Sequence, residues 1–274
     1  MESTTLIDRQ RVIWVSARAD FDHTTRHSAD PQIVCRETPA GPDIDPCTLY
    51  RCTGKVAVLV HGYRCTMEGV EGAYSRMTDQ LLDNYDYIVK FLWPGSWEIA
   101  LGFIVANYRV TESARRLTMV LRYLHPCELH VWGHSLGCKV ALDAAERLSD
   151  DNQRATRLIL AAPAVGWDVL GGGCRYGTLK TDTRIAWSGR DPVLARAYRM
   201  SPGNWCTPAL GHVGPKPGAR PAYYNPSSMD FTELVPSHGG YRDQLEFYRF
   251  GLMHRSLLRG AMIAPGLVSE EAHT

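Results

Sequence analysis

The sequence has no excess of charge of either sign. Its 274 residues include 30 lysines and arginines and 29 aspartates and glutamates, which gives a formal net charge of +1. Proteins that attract nucleic acids or anionic membranes usually carry a pronounced basic excess or patch. The charge balance therefore argues against nucleic acid or an anionic membrane as a partner.

Long apolar runs are also missing. The longest lies at about residues 99–108, whereas a helix needs about 20 apolar residues to cross a bilayer. No transmembrane segment is therefore predicted. The first residues, MESTTLIDRQR, lack the basic and then apolar regions of a signal peptide. We expect a cytoplasmic protein, and secretion after removal of a leader stays open.

The sequence contains no C-x-x-C pair, and its eight cysteines are irregularly spaced. This spacing argues against a zinc site. Several cysteines fall in predicted core elements, where a free thiol behaves as a small apolar side chain. We expect no metal and no organic cofactor. A Cys47–Cys52 bridge is an open alternative.

Strands and helices alternate along the chain. Strands are predicted at 11–16, 55–60, 87–92, 157–162 and 184–187, with an edge strand at 33–36. Helices are predicted at 66–82, 106–124 and 241–258. Residues 192–237 hold eight of the sixteen prolines and are predicted to be a long irregular excursion whose aromatic residues wall a pocket. The alternation predicts an α/β fold, with a mainly parallel sheet and helices on both faces.

The length and composition suit one domain over residues 1–274. We place a catalytic core at about 55–259. An N-terminal strand and loops occupy 1–54, and a loosely held tail occupies 260–274.

The segment ELHVWGHSLGCKVALDAAER, residues 128–147, is the most informative. An apolar strand leads into Gly133-His134-Ser135-Leu136-Gly137, and an amphipathic helix follows. The turn matches G-x-S-x-G, the nucleophile elbow, in which a strained serine lies above the sheet edge. The first amides of the helix then lie where an oxyanion needs donors. Ser135 is the predicted nucleophile.

A serine nucleophile needs a histidine base, which follows the elbow in this motif's chain order. Four histidines do so. His273 lies in the predicted tail and His254 inside the predicted last helix, so both are disfavoured. His238, in the glycine-flanked loop SHGGYRD, is the predicted base, and His212 is the alternative.

The acid that orients the base is predicted to be Asp191. It follows the strand at 184–187, and Pro192 after it is typical of a helix's first turn. Ligand-binding groups in open α/β sheets gather at the carboxyl ends of strands. Asp168 is the runner-up, and Asp182 fits less well because it precedes its strand.

Two backbone N–H groups should form the oxyanion hole. One is predicted at Leu136, directly after the nucleophile, and the other at Tyr63, in the loop after the strand KVAVLV. His61 is interpreted as a residue that orients this loop rather than one that exchanges protons.

Six segments carry a family resemblance. VLVHGYRCTMEG, FLWPGSW, GHSLG, SGRDPVL, ALGHVGP and SHGGYRD follow one another in the order expected of α/β-hydrolases. From about Lys55 to Arg259 the chain resembles serine esterases and lipases of this superfamily, most of all a poorly characterised bacterial group. The resemblance implies Ser135 as nucleophile, Asp191 as acid and His238 as base.

One departure from the lipase pattern lies between the predicted strands around Ile159 and Ile185. This span is short and contains Gly171-Gly172-Gly173, where many lipases insert a helical lid. We therefore expect no large lid domain.

The expected function is hydrolysis of a carboxylic ester, from a small molecule or a lipid, through an acyl-enzyme. Phospholipase, amidase, thioesterase and acyltransferase activities are alternatives on the same scaffold, because a fold does not fix a substrate. A non-catalytic binding protein with this fold is a further alternative. The sequence leaves the oligomeric state open.

Overall fold

A computed structural model gives the fold and describes residues 12–19, 21, 26–28, 33–63, 65–95, 102–150, 155–199, 204, 206–218 and 226–254. The strands in these ranges are β1 (Val12–Ser16), β2 (Val34–Arg36), β3 (Asp43–Ile44), β4 (Lys55–Val60), β5 (Tyr87–Leu92), β6 (Glu128–His134), β7 (Arg157–Ala161), β8 (Asp182–Trp187) and β9 (Ser227–Asp230). The α-helices are α1 (Met67–Leu81), α2 (Gly102–Tyr123), α3 (Leu136–Asp150), α4 (Pro192–Arg196), α5 (Leu210–Val213) and α6 (Leu245–Leu252).

The strands form one nine-stranded sheet in the order β3-β2-β1-β5-β4-β6-β7-β8-β9. From β1 to β9 all neighbours pair in parallel. β2 and β3 add antiparallel pairs at one edge. The predicted mainly parallel α/β sheet is confirmed. The carboxyl ends of β4, β6, β7 and β8 therefore meet at one edge of the sheet.

Side chains alternate across this sheet and divide the core in two. In β4, Val56, Val58 and Val60 belong to one apolar cluster, which contains residues of α2 and α3. Ala57 and Leu59 belong to the other, which contains residues of α1 and α6. The helices thus cover both faces, as predicted. Both faces of β4 are buried, which explains its continuous apolar sequence VAVLV.

No lid domain lies between β7 and β8. Residues 162–181, all of them described, contain turns, bends and one isolated bridge at Gly166, but no helix or strand. This agrees with the short glycine-containing span in the sequence.

The end of α6 is bound by two buried arginines of the sheet. Arg184 donates to the carbonyls of Phe250 and Met253, and Arg157 donates to that of Gly251 at 3.0 Å. Asp182 pairs with both arginines, at 2.9 and 3.2 Å. Cations suit the carbonyl end of a helix, so this cluster fixes where α6 ends.

The sequence-based element boundaries need four corrections, one of which is that α2 begins at Gly102, four residues before its predicted start. The predicted helix at 241–258 is a 3₁₀ turn at Gly240–Asp243 followed by α6, because Gln244 between them is extended. His254 therefore lies after the helix rather than inside it. The predicted irregular excursion also contains α4, α5 and β9. Finally, β8 begins at Asp182, two residues before the predicted start.

Several other predictions fall outside the described residues or concern cysteines. The tail at 260–274, His273 and the loop aromatics Trp205, Tyr223 and Tyr224 are outside the described ranges. All eight cysteines are free. Cys47 is exposed whereas Cys52 is buried in the core, so the alternative of a bridge between them is wrong. In the part of the chain that is described, no helix is long and apolar enough to cross a membrane.

Candidate active site

Ser135 lies in the turn between β6 and α3, where its backbone is strained. Its φ angle of 54° is in the left-handed region that residues with a Cβ atom rarely adopt. Its N–H donates to the carbonyl of Ala161 at 2.9 Å, and its carbonyl accepts from the N–H of Ala164 at 3.2 Å. Hydrogen bonds to the end of β7 thus hold this conformation, as is common at functional sites.

Glycine at position 137 lets α3 approach the end of β4. A Cβ atom there would lie 2.2 Å from the carbonyl oxygen of His61 and 2.6 Å from that of Val60. These are backbone atoms at the buried end of β4, so moving them would disturb the sheet. The second glycine of the G-x-S-x-G motif is therefore required by packing as well as by the turn.

Gly137→Ala is expected to lower the free energy of unfolding by about 2–3 kcal/mol, because the added methyl overpacks this contact. The matched control is Gly72→Ala in α1, where a Cβ would have only the end of Arg76 near it, at 3.9 Å. That substitution should stabilise the protein by about 0.5–1 kcal/mol through helix propensity. Urea unfolding measures both, and equal stabilities would contradict the packing argument.

Ser135, His238 and Asp191 form a continuous chain of hydrogen bonds. The hydroxyl oxygen of Ser135 lies 2.8 Å from Nε2 of His238, and Nδ1 of His238 lies 2.6 Å from Oδ2 of Asp191. These contacts place the imidazole proton on Nδ1, which leaves Nε2 free to accept from the serine. The structure thus brings together the three side chains predicted as nucleophile, base and acid.

Asp191 is held more firmly than a surface carboxylate. It caps α4 directly after β8, and its Oδ1 accepts the N–H groups of Val193 and Leu194, each at 3.0 Å. Burial, at 1% exposure, favours the neutral acid. The hydrogen bond and charge of His238, with the two amides, outweigh burial and lower the pKa of Asp191. The carboxylate is therefore ionised at neutral pH.

His134 positions the loop that carries His238, a role that the sequence reasoning missed. Its Nε2 donates to the backbone carbonyl of His238 at 2.8 Å. Burial, and then the charge of His238, lower the pKa of His134 to about 3, so the ring is neutral. The only signal in the sequence is its place between the glycine and the serine of the motif. Arg242 adds a hydrogen bond to the carbonyl of Gly239 at 3.0 Å.

His61 orders the loop after β4. Its Nδ1 donates to the carbonyl of Gly62 at 2.8 Å, and its Nε2 accepts from the N–H of Trp93 at 3.2 Å. The Arg18 guanidinium lies 3.2 Å from the same Nε2. Burial, and then Arg18, lower the pKa of His61 to about 3. Both ring nitrogens are engaged, which supports an orienting role for this residue.

The two predicted oxyanion donors belong to segments that adjoin the serine. Leu136 begins α3, so its N–H belongs to the first turn, whose amides have no partner within the helix. Tyr63 follows Gly62, and a Cβ atom on Gly62 would lie 3.0 Å from Cβ of Ser135. The loop after β4 thus abuts the nucleophile. The donor roles stay predictions.

The residues considered as alternative acids and base are not members of the hydrogen-bonded chain of Ser135, His238 and Asp191. Asp168 lines a separate cavity of about 470 Å³ together with Gly171, Gly172, Cys174 and Lys216. Asp182 begins β8, at the opposite end of the sheet from Asp191, and binds Arg157 and Arg184. His212 lies in α5. In the described ranges no three His, Cys, Asp or Glu side chains gather as a metal site requires.

Comparison with known families supports the fold. Residues 48–201, more than half of the chain, match the family described as alpha/beta hydrolases of unknown function (DUF900). The chain belongs to this family. The matched range contains Tyr63, Ser135, Leu136 and Asp191, whereas His238 lies beyond it. Comparison with curated proteins gave no match.

Two solved structures are similar to this α/β-hydrolase. The product of the lin2722 gene of Listeria innocua is 13% identical, with a TM-score of 0.45, over 73% of this chain and 94% of that one. XC6422 from Xanthomonas campestris, described as an α/β serine hydrolase without a lid, is 16% identical. Its TM-score is 0.38, over 77% of this chain and 84% of that one.

Acidification is expected to destabilise this hydrolase through its buried imidazoles. Burial lowers the pKa of His61, His130 and His134 to about 3, whereas an unfolded histidine titrates near about 6.5. Below pH 6.5 the unfolded chain therefore binds protons that the folded protein does not. Stability present above pH 6.5 is lost as the pH falls towards 3, on the order of 1–2 kcal/mol per imidazole at pH 5.

Urea unfolding at pH 7.5, 6 and 5, followed by tryptophan fluorescence, measures this loss. His130→Asn should flatten the dependence on pH, because it removes one of the buried groups. His125→Asn is the control, since His125 is exposed, and it should leave the slope unchanged. A constant unfolding free energy from pH 7.5 to 5 would contradict the expectation.

Proposed function

We propose that this protein is a serine hydrolase that cleaves carboxylic esters through a covalent acyl-enzyme. The observation that carries the proposal is the uninterrupted chain from the Ser135 hydroxyl through His238 to the buried carboxylate of Asp191. Each member comes from a different segment of the carboxyl edge of the sheet. Such an arrangement is costly to hold in place and is the one that acyl transfer needs.

In the first half of the proposed reaction, Oγ of Ser135 attacks the carbonyl carbon of the ester and gives its proton to Nε2 of His238. Asp191 stabilises the imidazolium that forms. The N–H groups of Leu136 and Tyr63 bind the developing oxyanion. The tetrahedral intermediate then collapses: the bond to the alcohol oxygen breaks, and His238 gives the proton to that oxygen.

In the second half, water attacks the acyl-enzyme. His238 accepts a proton from the water, and a second tetrahedral intermediate forms in the same oxyanion site. Its collapse breaks the bond to Oγ, releases the carboxylic acid and returns the proton to Ser135. The chemistry uses side chains and backbone amides of this chain and requires no metal or organic cofactor.

A fluorophosphonate probe tests the proposal directly, because only an activated serine reacts with it. We expect stoichiometric labelling of the folded protein, with the modified peptide containing Ser135, and hydrolysis of p-nitrophenyl esters. Folded protein that neither reacts with the probe nor hydrolyses esters would instead be a binding protein on this fold. Assays with amide, thioester and phospholipid substrates would distinguish ester hydrolysis from amidase, thioesterase and phospholipase activities. An assay of acyl transfer to added alcohols would detect acyltransferase activity.

Ester hydrolysis is expected to show no sharp activation at an interface. Residues 162–181 contain no helix, whereas many lipases insert a helical lid here. This span therefore has no lid that would have to move before the substrate binds. The rate with a short triglyceride should rise smoothly as the substrate concentration passes its solubility limit. A jump in rate at that concentration would contradict the expectation.

A further inference from the structure

Two aromatic rings meet beside the catalytic edge of the sheet. The rings of Tyr63 and Phe103 pack edge to face, with centroids 5.5 Å apart and an interplanar angle of 86°. Phe103 lies in the first turn of α2 and packs against both apolar clusters. Those clusters occupy opposite faces of the sheet, so a side chain that contacts both lies past its edge rather than over one face.

Tyr63, one member of this pair, belongs to the loop that abuts the nucleophile. Tyr63 directly follows Gly62, which lies so near the serine that a Cβ atom added to it would be 3.0 Å from Cβ of Ser135. Neither Tyr63 nor Phe103 is fully buried, and the next residue of α2, Ile104, is half-buried as well. An apolar surface that is only partly covered therefore adjoins the reacting serine.

We propose that Tyr63 and Phe103 form the wall of the acyl subsite and that the substrate carries an apolar acyl group of short to medium length. The inference rests on the proposed ester hydrolysis. A carbonyl oxygen bound to the Tyr63 amide at a hydrogen-bond distance of about 2.9 Å brings the acyl carbon atoms beside the side chain of the same residue. The alcohol leaves on the His238 side, where its oxygen receives the proton.

The length limit follows from the polar groups further along α2. One turn beyond Phe103, on the same side of the helix, Oδ1 of Asn107 accepts a hydrogen bond from Nζ of Lys139 at 2.7 Å. Four residues advance a helix by about 6 Å. The apolar wall on α2 therefore extends for about one helical turn before it meets an amide and an ammonium group.

The test is the acyl-length profile of Phe103 variants on p-nitrophenyl esters from acetate to laurate. Phe103→Trp should lower the ratio of kcat/KM for octanoate to that for butyrate by at least about tenfold, since each buried methylene contributes about fourfold. Phe103→Ala should raise the ratio by about fivefold or more. A ratio between two substrates cancels any loss that affects all esters equally.

The matched control is Tyr108→Ala, because Tyr108 lies on the same helix but is 79% exposed. Its profile should equal that of the wild type. Unchanged profiles in both Phe103 variants, in protein that still reacts with the fluorophosphonate probe, would overturn the acyl subsite and leave the proposed hydrolase in place. Absence of probe labelling in the wild type would overturn the proposed function and the subsite with it.

Discussion

Ser135→Ala is expected to lower kcat/KM for p-nitrophenyl butyrate by at least about a thousandfold, since the members of a triad act as a unit. The variant retains the Cβ atom and the hydrogen bonds of its backbone to Ala161 and Ala164. It should therefore fold as the wild type does and lose labelling by the fluorophosphonate probe. The loss is one of chemistry and not of structure.

The matched control is Ser149→Ala, another serine of α3, whose hydroxyl donates to the carbonyl of Ala145 in its own helix. Its activity should equal that of the wild type. Hydrolysis by Ser135→Ala within tenfold of the wild-type rate would contradict the assignment of Ser135 as the nucleophile.

Ser135→Gly separates the strain at this position from its chemistry. Glycine adopts a φ angle of 54° without a steric cost, so this variant should be about 1 kcal/mol more stable than Ser135→Ala. Both variants should be equally inactive. A stability difference would show that the backbone strain at position 135 has an energetic cost, and equal stabilities would contradict that cost.

The parts of the fold that could be predicted from sequence are those whose signal is local. β4 and β5 are predicted with their observed bounds because each is a short run rich in β-branched, aliphatic and aromatic residues, buried on both faces. The elbow is predictable because its turn, strand and helix are adjacent in the chain. The position of Asp191, which follows β8 and caps α4, is predictable from the strand before it and the proline after it.

The parts that could not be predicted depend on contacts between distant segments. β9 has the polar sequence SSMD and is half exposed at the sheet edge, so it carries no apolar pattern. The end of α6 is fixed by Arg157 and Arg184, which precede it by more than 60 residues. His134 reaches a carbonyl 104 residues away. In each case the residue type is visible in the sequence but its partner is not.

The structure gives a reason for preferring Asp191 to Asp168 as the acid, which their positions in the sequence do not give. The Asp191 carboxylate has two different environments: Oδ1 accepts two amides of α4, while Oδ2 faces Nδ1 of His238. Asp168 instead lines the rim of a separate cavity. The geometry therefore favours Asp191 as the group that orients the base, and substitution by asparagine is the appropriate test.

Asp191→Asn is expected to lower kcat by about a thousandfold to ten-thousandfold, as in serine proteases, while KM stays nearly unchanged. The two α4 amides require an acceptor, so the asparagine carbonyl must occupy the position of Oδ1. Its NH₂ group then points at Nδ1 of His238, which can only accept. The imidazole proton is forced onto Nε2, towards Ser135, and the base is lost although every heavy atom keeps its place.

Asp168→Asn is the matched control, the same isosteric change at the runner-up position, and its kcat should stay within about tenfold of the wild-type value. Steady-state kinetics on p-nitrophenyl butyrate measures both variants, and thermal unfolding shows that each is folded. The same argument predicts that the ¹⁵N NMR spectrum of Asp191→Asn shows the His238 proton on Nε2. The opposite order of activities would transfer the role of acid to Asp168, because a carboxylate that orients the base cannot be replaced by an amide without this loss.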